Sequence, residues 1–139
     1  FMEGSSRIQF TENTFSANGY GIKLQASCDE NIFSRNNFTS NTFDMVTNGT
    51  LVLNTINSNY WDKYEGYDMN RDNIGDIPFR PVSMYGTVVE QMPTAVLLWR
   101  SFLVFLLDRA ERAIPAITPE NLKDDSPVMK PYDLYKTHQ

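Results

Sequence analysis

Apolar and polar positions repeat with a period of 23 residues over residues 1–60, for example from Asn13 to Asn36 and from Asn36 to Asn59. The repeated unit is an asparagine, any residue, an apolar residue and two further residues. The aligned columns are Asn13/Asn36/Asn59, Asn31/Asn54, Asn18/Asn41, Phe10/Phe33/Ile56, Phe15/Phe38/Trp61 and Tyr20/Phe43. A fixed period in the twenties predicts a solenoid, in which each repeat buries its apolar face against its neighbours.

The residue types indicate which solenoid this is. The apolar positions are mostly Phe, Ile and Tyr, whereas a leucine-rich repeat would carry Leu, and a helical repeat would need about 33 residues or more. Short apolar pieces broken by Asn, Ser, Thr and Gly are typical of strands and turns. Asparagine tolerates the left-handed backbone of a tight corner, and stacked amides can form a ladder between coils. We predict an all-β fold, a right-handed parallel β-helix with about three short strands per coil over residues 1–60.

Charge and cysteine content exclude some classes. Twelve Lys and Arg against 17 Asp and Glu give a net charge of −5 without a basic cluster, which argues against a nucleic-acid partner. The single Cys28 excludes an internal disulfide framework, and we expect a structural thiol. These residues show no signal-peptide pattern, and they open within a repeat at Ile8-Gln-Phe10. We therefore expect the C-terminal part of a longer β-helix.

A loop-rich cap is predicted over residues 61–92, where the repeat ends and an aromatic, acidic stretch begins. Oxygen-bearing side chains stand at Asp68, Asn70 and Asp72, and Asp76 follows. Alternate oxygen ligands suit a hard cation such as Ca²⁺, although the glycine and the closing glutamate of an EF-hand loop are misplaced or missing. We predict a calcium site at these four residues. The alternative is an acidic turn whose side chains cap their own backbone.

An apolar helix is predicted over residues 93–115, ended by Pro115. Its apolar run from Ala95 to Leu107 has 13 residues, which is too short for a bilayer core that needs about 20. A helix that is apolar on nearly all faces must be buried. One face is expected to cover the open end of the β-helix, and the other to bind a partner, a second copy or the membrane interface, unless the helix is wholly an internal cap. Residues 116–139 are predicted to form a short helix and an extended tail. The predicted docking residues are Trp99, Phe102, Leu103, Phe105 and Leu106.

Several motifs together carry a family resemblance over nearly the whole chain. They are the Asn-x-Phe coils, Asn59-Tyr-Trp61-Asp-x-Tyr64, the Gly66 to Phe79 stretch, and the helix with Asp108-x-Ala-Glu111-x-x-Ile114-Pro115. They resemble the C-terminal part of the NosD family, periplasmic copper-processing proteins that accompany an ABC transporter in the maturation of nitrous oxide reductase, an enzyme of denitrification. The Asn-rich coils alone are less specific, because many carbohydrate-active β-helices share them.

The resemblance implies a non-enzymatic periplasmic protein docked on the membrane subunit of an ABC transporter. It implies handling of copper, or of a sulfur species, for the copper-sulfur clusters of that reductase. It does not locate copper in this chain. Cu(I) prefers Met, Cys or His ligands, and the six methionines, Cys28 and His138 are scattered along the sequence.

Two other classes remain open. A carbohydrate-active β-helix enzyme would need carboxylates clustered on one strand face. Among the charged residues of 1–58, we expect only Glu12 and Arg35 to pair at the 23-residue spacing, and only as a surface ion pair. A structural or adhesive surface β-helix would share the coils. It would have no use for an apolar helix that needs a partner, and this feature favours the transporter component.

Overall fold

The structure, a computed structural model, describes residues 1–25, 27–47, 53–83, 105, 109 and 122–135. These residues form short strands separated by tight corners, as the alternation of apolar and turn-forming residues predicts. The strands are β1 (Gln9–Thr11), β2 (Thr14–Ser16), β3 (Tyr20–Leu24), β4 (Ile32–Ser34), β5 (Asn37–Thr39), β6 (Phe43–Thr47), β7 (Thr55–Asn57), β8 (Tyr60–Trp61) and β9 (Val82–Ser83).

The strands form three parallel sheets, in the orders β1-β4-β7, β2-β5-β8 and β3-β6-β9. Equivalent residues of successive coils pair in register, so that Phe10 lies beside Phe33 and Phe33 beside Ile56. Each sheet therefore takes one strand from each coil, which is the arrangement of a parallel β-helix. The predicted period is confirmed. The right hand of the coil stays a prediction.

Aromatic rings stack along the axis of the solenoid. The ring centroids of Phe15 and Phe38 are 4.9 Å apart, and those of Phe38 and Trp61 are 4.2 Å apart. Phe38 is fully buried and Trp61 is 1% exposed. Phe10 and Phe15 are only partly buried, because they belong to the first coil and have neighbours on one side. The predicted aromatic core is confirmed, and each ring adds dispersion contact on top of the burial of its apolar area.

Asparagine ladders run parallel to the stacked rings. The backbone N–H of Asn36 and its side-chain Nδ2 both donate to Oδ1 of Asn59, each at 3.0 Å. Asn13 makes the same two bonds to Asn36 Oδ1, at 3.0 and 3.2 Å. Because each amide satisfies the backbone of the neighbouring coil, buried asparagine adds little penalty to the core. The predicted ladder is confirmed.

The left-handed residue at these corners is not the asparagine. Glu12, Arg35 and Ser58, each directly before a ladder asparagine, have φ between 56° and 58°. The expectation that asparagine itself takes the left-handed conformation is wrong for these corners. The asparagine side chain is committed to the ladder, so the preceding residue makes the turn, at about 1–2 kcal/mol for a residue with a Cβ.

Exposed ion pairs lie at the corners between successive strands. Glu12 and Arg35 form the predicted surface pair at 3.1 Å. Arg7 and Glu30, also one period apart, form a second pair at 2.7 Å, so the expectation that only Glu12 and Arg35 pair at this spacing is wrong. All four side chains are at least half exposed, and such pairs contribute about 0–1 kcal/mol each. These ion pairs join equivalent positions of successive coils, but they contribute little to the stability of the fold.

Segments beyond Trp61 close the end of the last coil. β9 adds to β6, while Asp124 and Val128 of the tail bridge to Ile56 and Tyr60 in parallel. Within the described residues, the covering therefore comes from the cap loop and the tail.

The helix predicted over residues 93–115 can be inspected only at two positions, Phe105 and Arg109, and both are helical. The other residues of that helix, and residues 116–121, where the second short helix was predicted to begin, lie outside the described residues. Within the described part of the chain, no helix is long and apolar enough to cross a bilayer.

Candidate functional site

The closed end of the last coil is built around Asp124, which is fully buried. Its Oδ2 accepts hydrogen bonds from Asn59 N at 2.9 Å, Asn59 Nδ2 at 3.2 Å and Trp61 Nε1 at 3.0 Å. Its Oδ1 accepts from Ser58 N and Ser126 N, both at 3.0 Å. Asp124 thus takes the place of the next rung of the asparagine ladder, supplied from a distant part of the sequence.

The tail continues across the outside of the coils at Tyr132. Its backbone N–H donates to Asn37 Oδ1 at 2.9 Å, and Asn37 Nδ2 donates back to the Tyr132 carbonyl at 2.8 Å. The Tyr132 hydroxyl donates to the Ser58 carbonyl at 2.8 Å, and the Arg35 guanidinium lies 5.6 Å from the ring centroid. Burial raises the pKa of Tyr132, against an opposing effect of Arg35. The tail is therefore held at two separate places.

Tyr64 organises the cap loop. Its hydroxyl donates to the Ile77 carbonyl at 2.6 Å, and its ring packs edge-on against Phe79 at 5.8 Å. A Cβ atom at Gly66 or Gly75 would overlap the Tyr64 side chain, so another residue at either position would force the Tyr64 ring to move. Burial raises the pKa of Tyr64 above its ordinary 10.0. A surface groove of about 280 Å³ lies between residues 64–66 and 77–80.

The predicted calcium residues do lie in one hydrogen-bonded loop. Asp68 accepts from the backbone N–H groups of Asp72 at 3.2 Å and Asn73 at 2.8 Å. Asp72 accepts from Ile74 N at 2.8 Å, and Asp76 accepts from Met69 N at 2.7 Å. These bonds are those of the self-capping alternative.

A metal would have to use the oxygens that remain in this loop. A carboxylate has further acceptor positions beyond one or two N–H bonds. Within the described residues, however, no group of three or more His, Cys, Asp or Glu side chains is placed to hold a metal ion. Asp68, Asp72 and Asp76 therefore share a hydrogen-bonded loop, but their carboxylates are not arranged here around one metal position. Calcium binding stays a prediction.

The predicted docking residues can be inspected only at Phe105. Its side chain is 55% exposed, and the Arg109 guanidinium lies 5.3 Å from its ring centroid. Trp99, Phe102, Leu103 and Leu106 lie outside the described residues. Phe105 therefore presents an apolar surface beside a positive charge, and the rest of the docking prediction stays a prediction.

The soft copper ligands of the described residues differ in burial. Met45 and Cys28 are fully buried in the coil core, while Met69 on the cap loop is 79% exposed. Met84, Met92 and His138 lie outside the described residues. Buried Met45 and Cys28 pack as core side chains, so the position of any copper site stays unassigned.

One buried carboxylate belongs to the coils themselves. Asp44 on β6 has a 2% exposed side chain, 3.6 Å from Lys63 Nζ, and accepts from Asn41 Nδ2 at 3.2 Å. Burial raises the pKa of Asp44 above its ordinary 3.8, and the Lys63 charge partly offsets this effect. The negative charge of Asp62 also raises the pKa of Asp44.

Sequence reasoning missed Asp124. Its partners on the coil lie 63 to 66 residues earlier in the chain, so the 23-residue period gives no signal for it. The signal that could have identified Asp124 is the hydrogen-bonding requirement of the last coil. The last asparagine of a ladder leaves donors that need an acceptor, and the sequence after residue 122 carries two adjacent aspartates, Asp124 and Asp125.

The fold and its closed end together define a class: a parallel β-helix, sealed at its C-terminal end by a glycine-dependent cap loop and an acidic tail. No family model matches the chain. Over 121 residues, 85% of this chain, it is 31% identical to a Stutzerimonas stutzeri protein named "Probable ABC transporter binding protein NosD" and 26% identical to the protein of the same name from Pseudomonas aeruginosa. The predicted resemblance is confirmed, and the chain is NosD-like. It spans 28% of the length of these curated relatives.

Proposed function

We propose that this chain is part of a periplasmic, non-enzymatic component of an ABC-transporter system that handles copper, or a sulfur species, for assembly of the metal clusters of nitrous oxide reductase. The observation that carries the proposal is the 31% identity over 85% of the chain to a protein named as an ABC transporter binding protein. The identity covers far more of the chain than the 23-residue coils alone, which occur in several classes of protein.

The geometry supports a binding role in two ways. Buried contacts around Asp124 and Phe79 cover the end of the last coil. The strand edges at this end are therefore not exposed. Phe105, with Arg109 beside it, offers an exposed apolar and cationic surface. Such a surface suits the membrane subunit of a transporter or the anionic lipid interface, where apolar and cationic side chains are both favoured.

The function is tested in a denitrifying bacterium that carries the full-length gene. Deletion of the gene is expected to leave nitrous oxide reductase without its copper-sulfur cluster, as measured by copper content and the visible spectrum of the purified enzyme. Complementation with the wild-type gene should restore both. A deletion strain whose reductase keeps a full cluster would refute the proposal and favour the structural surface β-helix.

The docking part is tested by affinity capture of the transporter membrane subunit. Changing Phe102 and Phe105 to Ser should reduce capture at least tenfold, because two apolar anchors are lost, without changing the coil spectrum by circular dichroism. Leu53→Ser is the matched control, since Leu53 is 74% exposed on the coils. Sedimentation of the same proteins reports self-association. Equal capture by all three proteins, with no change in sedimentation, would leave the helix as an internal cap.

A further inference from the structure

Lys63, at the start of the cap loop, holds its amino group against the corner of the second coil. Its Nζ donates to the Thr42 carbonyl at 2.9 Å and lies 3.6 Å from Asp44 Oδ2. The side chain of Lys63 is 25% exposed and that of Asp44 is 2% exposed. The amine is therefore held beside a carboxylate that water barely reaches. In such a place a lysine can lose its proton to the neighbouring group and act as a nucleophile.

The other oxygen of Asp44 contacts an amide. Asp44 Oδ1 accepts from Asn41 Nδ2 at 3.2 Å, and Asn41 is itself buried. One carboxylate thus touches both the amine of Lys63 and the amide nitrogen of Asn41. Burial raises the pKa of Asp44, so this carboxyl group holds a proton more readily than an exposed aspartate does. A group with these contacts can carry a proton from the amine to the amide nitrogen.

The asparagine ladder supplies donors to the oxygen of the same amide. Asn41 Oδ1 accepts from the backbone N–H of Asn18 at 3.0 Å and from Asn18 Nδ2 at 3.2 Å. Two N–H donors on one carbonyl oxygen polarise the carbonyl group, and they stabilise the negative charge that develops on the oxygen when Cγ is attacked. An amine, a proton carrier and two oxyanion donors therefore meet around Asn41.

Asn59 offers an internal comparison. Its Nδ2 also donates to a buried carboxylate, Asp124 Oδ2, at 3.2 Å. The other groups bound to that carboxylate are backbone N–H groups and the Trp61 indole, and none of them is an amine. The amide of Asn59 therefore has a proton carrier but lacks a nucleophile, so we expect it to stay unmodified.

We propose that Lys63 and Asn41 join in an isopeptide bond, which forms autocatalytically with Asp44 as the proton carrier. Asp44 takes a proton from the Lys63 ammonium, and the neutral amine attacks Cγ of Asn41. Asp44 then gives its proton to Nδ2, the Cγ–Nδ2 bond breaks, and Asp44 takes the second proton from Nζ. The departing ammonia takes that proton from Asp44 and leaves as ammonium. The product is one amide between Nζ and Cγ, which ties the cap loop to the second coil.

The test is the mass of the full chain after prolonged incubation at neutral pH. The bond lowers the mass by one ammonia, about 17 Da. It also blocks trypsin at Lys63, so residues 36–71 stay in one peptide, with a link between positions 41 and 63. An unchanged mass overturns the proposal. A loss of about 18 Da overturns it too, because release of water would place the bond on a carboxyl group such as that of Asp44.

Lys63→Arg separates the bond from other losses of ammonia. The guanidinium keeps the positive charge beside Asp44 but is not a nucleophile at neutral pH, so this variant should keep its full mass. A loss of ammonia that persists in Lys63→Arg would come from cyclisation of an asparagine, such as Asn48 before its glycine, and would overturn the bond. Lys123→Arg is the matched control, since Lys123 pairs with Asp125 at 3.2 Å on the surface. It should lose ammonia as the wild type does.

Asp44→Ala tests the proton carrier. This variant keeps the Lys63 amine and the Asn41 amide but should keep its full mass, with a circular dichroism spectrum like that of the wild type. A link between positions 41 and 63 in Asp44→Ala would overturn the role of Asp44. If Asp44→Ala does not fold, the masses of the wild type and of Lys63→Arg still decide whether the bond forms.

Discussion

Replacing Asn36 by Ala tests whether the asparagine ladder stabilises the coils. The Asn36 side chain takes part in four hydrogen bonds: its Oδ1 accepts from Asn13 N and Nδ2, and its Nδ2 donates to the Phe10 carbonyl and Asn59 Oδ1, at 2.8–3.2 Å. At about 0.5–1.5 kcal/mol each, their loss lowers the free energy of unfolding by about 2–6 kcal/mol. A domain of typical stability, about 5–15 kcal/mol, would lose a large part of its margin.

Asn13→Ala is the matched control from the same ladder. Asn13 is exposed, and its side chain donates only to the Thr11 carbonyl and to Asn36 Oδ1. We expect a loss of about 1 kcal/mol or less, because water replaces these bonds. Urea unfolding followed by circular dichroism gives both values, provided that the slope with denaturant is unchanged. Losses that agree within about 0.5 kcal/mol would show that burial of the ladder contributes nothing, and would refute the reasoning.

Three further outcomes are expected. Phe38→Ala, at the centre of the ring stack, should lower the free energy of unfolding by about 3–5 kcal/mol, and Phe10→Ala clearly less; equal losses in urea unfolding would contradict the stack. Because burial raises the pKa of Asp44, the folded state binds more protons, so stability should fall as the pH rises from 3.8 through the folded-state pKa. Asp44→Asn should remove that fall, and identical pH profiles would exclude Asp44 as its source. Added Ca²⁺ should raise the melting temperature of the wild type by mass action but not that of Asp72→Ala; a wild-type melting curve unchanged by calcium and by chelator would leave the acidic turn as self-capping.

The sequence predicted the coils well because their contacts recur at one separation. Phe15, Phe38 and Trp61 align in the printed sequence and stack in the fold, since parallel register repeats the same neighbours in every coil. The same period also relates Arg7 to Glu30. Residue spacing does not reveal backbone conformation, however, and the left-handed residue was assigned to the asparagine instead of to the residue before it.

The closure of the coil end was not predictable in the same way. The contact between Asp124 and Trp61 joins residues that are 63 positions apart. It occurs only at the end of the coil, so no repeated spacing in the sequence indicates it. The cap loop was predictable in part. Its glycines and Tyr64 were visible as motif residues, but only the structure shows that Gly66 and Gly75 make room for the Tyr64 ring. Contacts made once between distant segments depend on the packing of the whole chain, and local chemistry does not specify them.

The separation of Trp61 and Asp124 along the sequence has a consequence for the order of folding. Asp124 follows Trp61 by 63 residues, so wherever the chain becomes available in sequence order, the last coil is available before the residue that closes it. Until Asp124 arrives, the last coil has an open strand edge, and its donors have no acceptor. Open strand edges are templates for pairing with another chain, so this step is the one at which a chaperone would protect the protein from aggregation.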